Sequence, residues 1–264
     1  MKDIILAIGA HPDDIDFFAG GTIAKFCKEG KEAYFLITTN GQCGSLRPDT
    51  DPKTLIATRE KEAKAAAEVL GVKEVFFLGY EDGFLDRTPH LELREQFIKY
   101  IRKLKPNILM TFDPWNPYEP HSDHRKVSLA AFESSYFCHY PLFHPESKPI
   151  HFVSEIWLFR SPNPDTWIQL KNVRTKVKAL VKHASQIQML REEILGQLKS
   201  AKVETSILEA LDNKTLLDIF VRNMAEQDGK KSGYKFAEAF KVFKIGYVED
   251  VRAIIESINK QNKD

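Results

Sequence analysis

The first half of the chain alternates between short apolar runs and longer amphipathic segments. The apolar runs predict buried strands at Ile4–Ile8, Tyr34–Thr38, Val75–Leu78 and Ile108–Phe112. The amphipathic segments predict helices, including Thr54–Leu70, which Gly71 ends, and Leu91–Leu104, which Pro106 ends. Strands that alternate with helices at this spacing favour a parallel sheet with right-handed crossovers. The sequence therefore predicts an α/β fold with a Rossmann-like, mostly parallel sheet flanked by helices.

The second half gives fewer signals for strands. A helix is predicted at Asp123–Phe137 and a strand at Glu155–Phe159, and the final third is predicted to be mostly helical. Its helical segments are Val173–Met189, Thr215–Met224 and Val248–Ile258. Near the N-terminus, a helix is expected at Thr22–Cys27, after a flexible Gly20–Gly21 pair. Because the chain contains neither internal repeats nor low-complexity linkers, residues 1–264 are predicted to form one domain, with the C-terminal helices packed on it.

Composition excludes several classes of protein. A hydrophobic content of 43% in 264 residues is enough for a sizeable core, and a net charge of +1 provides no field for nucleic acid or an anionic membrane. No apolar run approaches the ~20 residues of a membrane span. The cysteines are odd in number and widely spaced, at Cys27, Cys43 and Cys138, so no disulfide framework is indicated. We therefore expect a cytoplasmic enzyme without a nucleic-acid or membrane partner.

Two histidine motifs lie where apolar runs end and helical patterns begin. Alone, His11-Pro12-Asp13-Asp14 is also an ordinary turn, and His121-Ser122-Asp123-His124 is also a polar loop before a helix. Together they lie at the carboxyl edge of the predicted sheet, where α/β folds bind ligands. An imidazole and a carboxylate from the first motif and an imidazole from the second would hold one zinc ion and leave a position open for water. The remaining Asp13 and His121 would supply an acid–base pair.

Several segments resemble the PIG-L/LmbE-like family of zinc-dependent de-N-acetylases. These segments are Ala10–Asp14, Thr39–Gly44, Arg59–Ala63 and Pro120–Arg125. The resemblance covers nearly the whole chain. It implies that His11, Asp14 and His124 hold one zinc ion per subunit, although such a ligand set also accepts iron, cobalt or manganese.

The resemblance also implies roles for the residues around the metal. Asp13 would be the general base, and His121, as imidazolium, would stabilise the oxyanion or protonate the leaving amine. The alternative for His121 is a supporting hydrogen bond to a ligand. Arg59 and Asp82 would hold the hydroxyls of a sugar, the alternative being that both are surface ions.

The implied reaction is hydrolysis of the acetamide of a small N-acetylglucosamine compound, with diacetylchitobiose or a short chitooligosaccharide as the preferred substrate. A deacetylase of GlcNAc-malate or of another N-acetylglucosaminide in thiol biosynthesis is the alternative within the family. The alternative from another class is a non-catalytic nucleotide- or sugar-binding module, but Gly9, Gly20 and Gly21 do not match G-x-G-x-x-G. The resemblance further implies a homo-oligomer.

Overall fold

The computed structural model describes residues 3–246 and 248–261. Strands and helices alternate strictly through the first half of the chain. Their order is β1 (Ile4–Gly9), α1 (Asp14–Lys28), β2 (Glu32–Thr39), α2 (Pro52–Leu70), β3 (Glu74–Tyr80), α3 (His90–Leu104), β4 (Ile108–Phe112) and α4 (Ser122–Phe137). A short 3-10 helix, Leu85–Arg87, lies between β3 and α3. The predicted strands and helices of this half are therefore present, most of them extended by one to three residues.

The second half adds further strands and a group of helices. Their order is β5 (Glu155–Phe159), β6 (Thr166–Gln169), α5 (Arg174–Leu180), α6 (Ala184–Ser200), α7 (Ser206–Glu209), α8 (Asn213–Ser232), β7 (Ala237–Lys244) and α9 (Val248–Gln261). None of the described helices combines the length and apolar character that a transmembrane helix requires.

The described strands form one sheet in the order β3-β2-β1-β4-β5-β7-β6. The first five are mutually parallel, whereas β7 runs antiparallel to both β5 and β6. The predicted Rossmann-like, mostly parallel α/β fold is thus confirmed. The chain winds outward from β1 through β2 to β3 and then returns to the other side of β1 at β4, so a crevice opens between the carboxyl ends of β1 and β4.

Both faces of the sheet are buried, as the unbroken apolar character of β1 requires. Ile5 and Ala7 point to the face covered by α1, α2 and α5, whereas Leu6 and Ile8 point to the face covered by α3 and α4. A third apolar cluster joins α5, α6 and α8 and contacts Phe17 of α1. The C-terminal helices therefore pack on the same layer as α1, close to the carboxyl end of β1.

The expected start of the first helix is wrong. This helix begins at Asp14 rather than at Thr22, and the Gly20–Gly21 pair lies inside it instead of acting as a hinge. Gly21 is needed for close packing, because a Cβ atom there would lie 2.6 Å from Leu170 Cδ1. The turn at His11–Asp13 leads directly into the helix, whose first turn contains Asp14 and Asp16, where carboxylates are favoured.

The final third also differs from its prediction. The segment predicted as the single helix Val173–Met189 is broken between α5 and α6, where His183 is completely buried with its Nε2 atom 3.4 Å from Asp16 Oδ2. The final third of the chain is mostly helical, as predicted, but it also contains the strand β7, which was not predicted. This strand was missed because only part of it is buried and its partner β6 is short.

Candidate metal centre and active site

The two histidine motifs meet at the crevice between β1 and β4. His11 and Asp13 occupy the turn between β1 and α1, and Asp14 is the first residue of α1. His121 and His124 lie at the start of α4, which follows the loop after β4. His11, Asp14 and His124 are less than 10% exposed. The fold therefore assembles polar donors from distant parts of the chain in a buried position.

His11, Asp14 and His124 present a compact set of donor atoms. His11 Nδ1 lies 3.2 Å from His124 Nε2 and 3.4 Å from Asp14 Oδ2, and His124 Nε2 lies 3.4 Å from Asp14 Oδ1. Ligands at zinc bond lengths of about 2.0–2.2 Å around a tetrahedron lie about 3.3–3.6 Å apart. The donor spacing therefore fits a single small divalent ion without rearrangement.

The electrostatics of this set also suit a cation. Burial opposes charge, but Asp14 still raises the pKa of His124 to about 9, and Asp14 and its neighbours raise the pKa of His11 well above its usual value. Although burial acts in the opposite direction, His124 and His11 hold the pKa of Asp14 well below its usual range. In the absence of metal, protons on the two imidazoles occupy the place that a divalent ion would take.

Carboxylates orient both imidazoles from behind. His11 Nε2 lies 3.0 Å from Asp82 Oδ1 and 3.5 Å from Asp123 Oδ2, and His124 Nδ1 lies 3.1 Å from Glu119 Oε1. The hydrogen bond to Glu119 can fix the tautomer and ring orientation of a metal-binding His124. His11 Nε2 makes no hydrogen bond within the described residues, so its contacts with Asp82 and Asp123 are charge contacts. Sequence reasoning missed Glu119 and Asp123, although both lie in the second histidine motif or immediately before it.

Two further groups of potential metal ligands share His11, one with His121 and His124 and the other with Asp82 and Asp123. Both oxygens of Asp123 and one oxygen of Asp82 already accept backbone hydrogen bonds, whereas Asp14 accepts one only at Oδ2, from the N–H of His11. The backbone N–H of Cys43 donates to Asp82 Oδ2, and those of Gly83 and Leu85 donate to the two oxygens of Asp123. The cluster around His11 Nδ1 therefore suits a metal better than the cluster around Nε2.

His121 lies beside the candidate ligands and stacks on His124, with 4.6 Å between ring centroids. The backbone N–H of Asp123 donates to its Nδ1 atom, so a neutral His121 carries its proton on Nε2. Burial, His11 and His124 lower the pKa of His121 below its usual value. The ring can therefore donate a hydrogen bond from Nε2 without being an imidazolium.

Asp13 does not act as a helix cap, the structural role that its position suggests. It occupies the N-cap position of α1, but its carboxylate accepts no capping hydrogen bond from the described residues. Instead, Oδ1 lies 3.4 Å from Arg59 Nη2. Burial raises the pKa of Asp13, and Arg59 opposes this effect. These features describe a carboxylate held ready to take up a proton, rather than a turn residue.

Arg59 and Asp82 are not surface ions. They are 3% and 4% exposed, respectively, and Arg59 Nη1 donates to Gly41 O at 2.8 Å and lies 3.8 Å from Asp82 Oδ2. Arg59 Nε is buried and has no hydrogen-bond partner within the described residues. The guanidinium atom beside Asp13 is Nη2, so Arg59 presents its charge to the candidate site through that nitrogen.

A buried set of histidine and carboxylate donors at the topological switch point of a Rossmann-like sheet is an arrangement that can hold a divalent ion in an enzyme active site. The sequence profile described as PIG-L, GlcNAc-PI de-N-acetylase, matches residues 6–135. The structure of N,N'-diacetylchitobiose deacetylase from Pyrococcus horikoshii superposes with a TM-score of 0.76 at 30% identity, covering 92% of this chain and 84% of that one. The chain belongs to the PIG-L family, and its activity class is that of a de-N-acetylase hydrolase.

Curated relatives show the same relationship in sequence. Diacetylchitobiose deacetylase of Thermococcus kodakarensis is 28% identical over 90% of this chain and 82% of its own length. A probable N-acetyl-alpha-D-glucosaminyl L-malate deacetylase 2 of Bacillus anthracis is also 28% identical, over 76% of this chain and 89% of its own length. The de-N-acetylase resemblance of the histidine motifs is therefore confirmed over most of the chain, and the non-catalytic alternative finds no support.

Proposed function

We propose that this protein is a zinc-dependent deacetylase that hydrolyses the acetamide of a small N-acetylglucosamine compound, with diacetylchitobiose or a short chitooligosaccharide as its preferred substrate. The observation that carries the proposal is the 3.2–3.4 Å spacing of the His11, Asp14 and His124 donors, with Asp13 adjacent. These three residues would hold the ion, and iron, cobalt or manganese could take its place. When bound, the ion supplies Lewis acidity that activates water and polarises the amide carbonyl.

The remaining residues divide the proton transfers. Asp13, whose pKa is raised by burial, takes the proton of the attacking water. His121 donates a hydrogen bond from Nε2 to the carbonyl oxygen as negative charge develops there. As the C–N bond breaks, the proton held by Asp13 passes to the leaving amine, and the products are acetate and a free amino sugar.

We propose that Arg59 binds a hydroxyl of the reacting sugar, because its guanidinium contacts Asp13, with Nη2 3.4 Å from Asp13 Oδ1. Asp82, for which the sequence predicted the same role, has its two oxygens directed at His11 and Cys43. We therefore assign Asp82 to positioning His11 and Arg59, so that it affects sugar binding through them.

The test is an amine-release screen of the metal-loaded protein against GlcNAc, diacetylchitobiose, GlcNAc-malate and GlcNAc-inositol. We expect the highest kcat/KM with diacetylchitobiose, whereas a preference for GlcNAc-malate would favour the alternative that the Bacillus relative suggests. The His11→Ala, Asp14→Ala and His124→Ala variants should lose metal and activity together. Full metal content in any one of them would remove that residue from the ligand set.

We also propose a homo-oligomer, in which α9 contacts a second copy. The apolar residues of this helix recur at helical spacing and are 46–56% exposed, namely Val251, Ile254, Ile255 and Ile258. Light scattering of the wild type should give the mass of more than one subunit. Ile255→Asp should dissociate the oligomer, whereas Glu256→Gln on the polar side of the stripe should not.

We propose a single domain, because α5, α6 and α8 pack against α1. We also propose a cytoplasmic location, because the three cysteines are free.

A further inference from the structure

A cavity of about 550 Å³ opens beside Asp13, and its lining includes neither Arg59 nor Asp82. Its walls come from α1, α6, α8 and β7, which are the elements that the C-terminal third of the chain brings against the first helix. A cavity of this size holds a drug-sized ligand. The methyl group of an acetamide is about as large as one water molecule, which occupies roughly 30 Å³ in the liquid, so an acetyl group would leave most of the space unfilled.

The walls that face this cavity are mainly apolar and adaptable. The large apolar side chains are Phe17, Phe18, Met189, Leu190, Phe220 and Met224. Methionine side chains adapt their shape to flexible apolar ligands. Phe18 also stacks on Phe159 and contacts Phe112, whose ring lies on His124 at a centroid distance of 4.1 Å. The apolar wall therefore continues from the cavity to a candidate metal ligand.

The polar groups at the inner end of the cavity are already paired with one another. Lys176 Nζ donates to Glu238 Oε1 at 2.7 Å, and both residues are less than 5% exposed. The oxygens of Glu238 also accept the N–H groups of Gly21 and Thr22. Gln186 Nε2 donates to Gly44 O. A sugar ring in this space would leave hydroxyl groups without partners, which is unfavourable, whereas an alkyl chain needs none.

The charged residues that remain lie toward the opening. The Arg160 side chain is 41% exposed, and its Nε atom lies 3.6 Å from Glu119 Oε2. Lys231, near the C-terminal end of α8, is also exposed. Asp228 lies one helical turn before Lys231. The cavity therefore has an apolar interior and a charged rim.

Asp13 adjoins two environments of different character. Its carboxylate contacts the guanidinium of Arg59, which in turn lies 3.8 Å from Asp82, and Asp13 also lines the apolar cavity. An amide whose carbonyl carbon lies beside Asp13 can therefore place one substituent near the polar groups and the other in the cavity. The polar side suits the sugar, and the apolar side suits the acyl group.

We propose that this enzyme also accepts N-acylglucosamines whose acyl chain is longer than acetyl and, when the sugar is glucosamine throughout, hydrolyses them faster than N-acetylglucosamine. This inference rests on the proposed function. Water adds its oxygen to the acyl carbon as the C–N bond breaks, and its protons pass to the carboxyl and amine products, which leave as a fatty carboxylate and glucosamine. The chemistry of the metal site is unchanged, and the cavity sets the length of the chain.

The test compares N-acetyl-, N-butanoyl-, N-hexanoyl- and N-octanoylglucosamine in the amine-release assay. Burial of a methylene group should raise kcat/KM about fourfold, so the hexanoyl compound should exceed the acetyl compound on the order of 10²-fold. If the acetyl compound is hydrolysed but kcat/KM stays constant or falls as the acyl chain lengthens, the inference is overturned and the proposed function is left intact. If kcat/KM rises for octyl N-acetylglucosaminide and does not rise along the acyl series, the cavity binds the aglycone and the inference is wrong.

A cavity variant with a matched control adds a second measurement. Met224→Trp should lower the ratio of hexanoyl to acetyl turnover at least tenfold, because the larger side chain fills the cavity. Ile219→Trp, on the outer face of the same helix and 50% exposed, should leave that ratio unchanged. Equilibrium binding to the metal-loaded Asp13→Asn variant should show tighter binding of the hexanoyl than of the acetyl compound. Equal Kd values for the two compounds would overturn the inference, whether or not any compound of the series is hydrolysed. Absence of hydrolysis for the whole series would separately overturn the proposed function.

Discussion

Glu119 provides a direct test of how the candidate metal centre is held. Its carboxylate is 6% exposed, and Oε1 lies 3.1 Å from His124 Nδ1 and accepts the backbone N–H of His121 at 3.1 Å. The substitution Glu119→Gln keeps the size of the side chain and one carbonyl acceptor but removes the charge. If His124 binds the metal through Nε2, the lost charge makes that nitrogen a weaker ligand.

The expected loss of metal affinity is about 10–100-fold, or about 1.4–2.7 kcal/mol, which is the usual effect of removing a partner that supports a ligand. The loss of one hydrogen bond to a charged group, about 1.5–3 kcal/mol, gives a similar range. The assay is a competitive titration of zinc against a chromogenic chelator at fixed pH. Thermal unfolding of the metal-free protein checks that the fold is kept.

Glu133→Gln is the matched control, because Glu133 contacts His90 Nε2 at 2.9 Å and Arg94 Nη1 at 3.1 Å, away from the candidate metal centre. The control should retain the wild-type Kd for zinc. Excess zinc should restore much of the activity of Glu119→Gln if the effect acts through affinity. A Kd for Glu119→Gln within twofold of the wild-type value would refute the argument that His124 is a ligand oriented by this carboxylate.

Four further predictions follow from the geometry of the site. Asp13→Asn should keep the metal while kcat falls by roughly 10²–10⁴-fold, and a near-normal kcat would contradict its role as base. The pKa of His121 lies below its usual value, so the imidazolium form is lost below neutral pH as the pH rises. The alkaline limb of the kcat/KM profile should therefore persist in His121→Gln. Disappearance of that limb would restore the imidazolium role of His121. Because the pKa of His124 is about 9 without metal, zinc binding at pH 7 should release about one proton or more per ion into weak buffer, whereas no release would count against His124 as a ligand. Arg59→Ala should retain zinc but lower kcat/KM for every N-acetylglucosaminide about 10–100-fold, and wild-type rates would remove Arg59 from the sugar site.

The sequence predicted those parts of the molecule that depend on local patterns. Apolar runs identified the parallel strands, and Gly71 marked the end of α2 because this position has a φ of +85°, which glycine adopts without strain. The two histidine motifs indicated the candidate metal ligands because each motif carries donors at short spacing. These features require no knowledge of how distant segments meet.

The features that the sequence did not reveal depend on contacts between distant segments. Glu119 and Asp123 resembled ordinary polar loop residues until the fold placed them behind His124 and His11. Likewise, the break before α6 depends on His183 reaching Asp16, a residue more than half the chain away. The apolar cavity is the strongest case, since its walls come from both ends of the chain.

The family profile matches residues 6–135, but this part of the chain lacks contacts that it would need to fold independently. Without the residues that follow, β4 would become an open edge, because its outer neighbour β5 begins at Glu155. The loop that carries Gly44 and the helix that carries Glu62 are held by hydrogen bonds from Gln186 and Ser185, more than 120 residues downstream. During synthesis, the candidate site residues therefore leave the ribosome long before the supports that hold them in place. A nascent chain stopped at residue 135 should resemble a protease-sensitive intermediate rather than a small working enzyme.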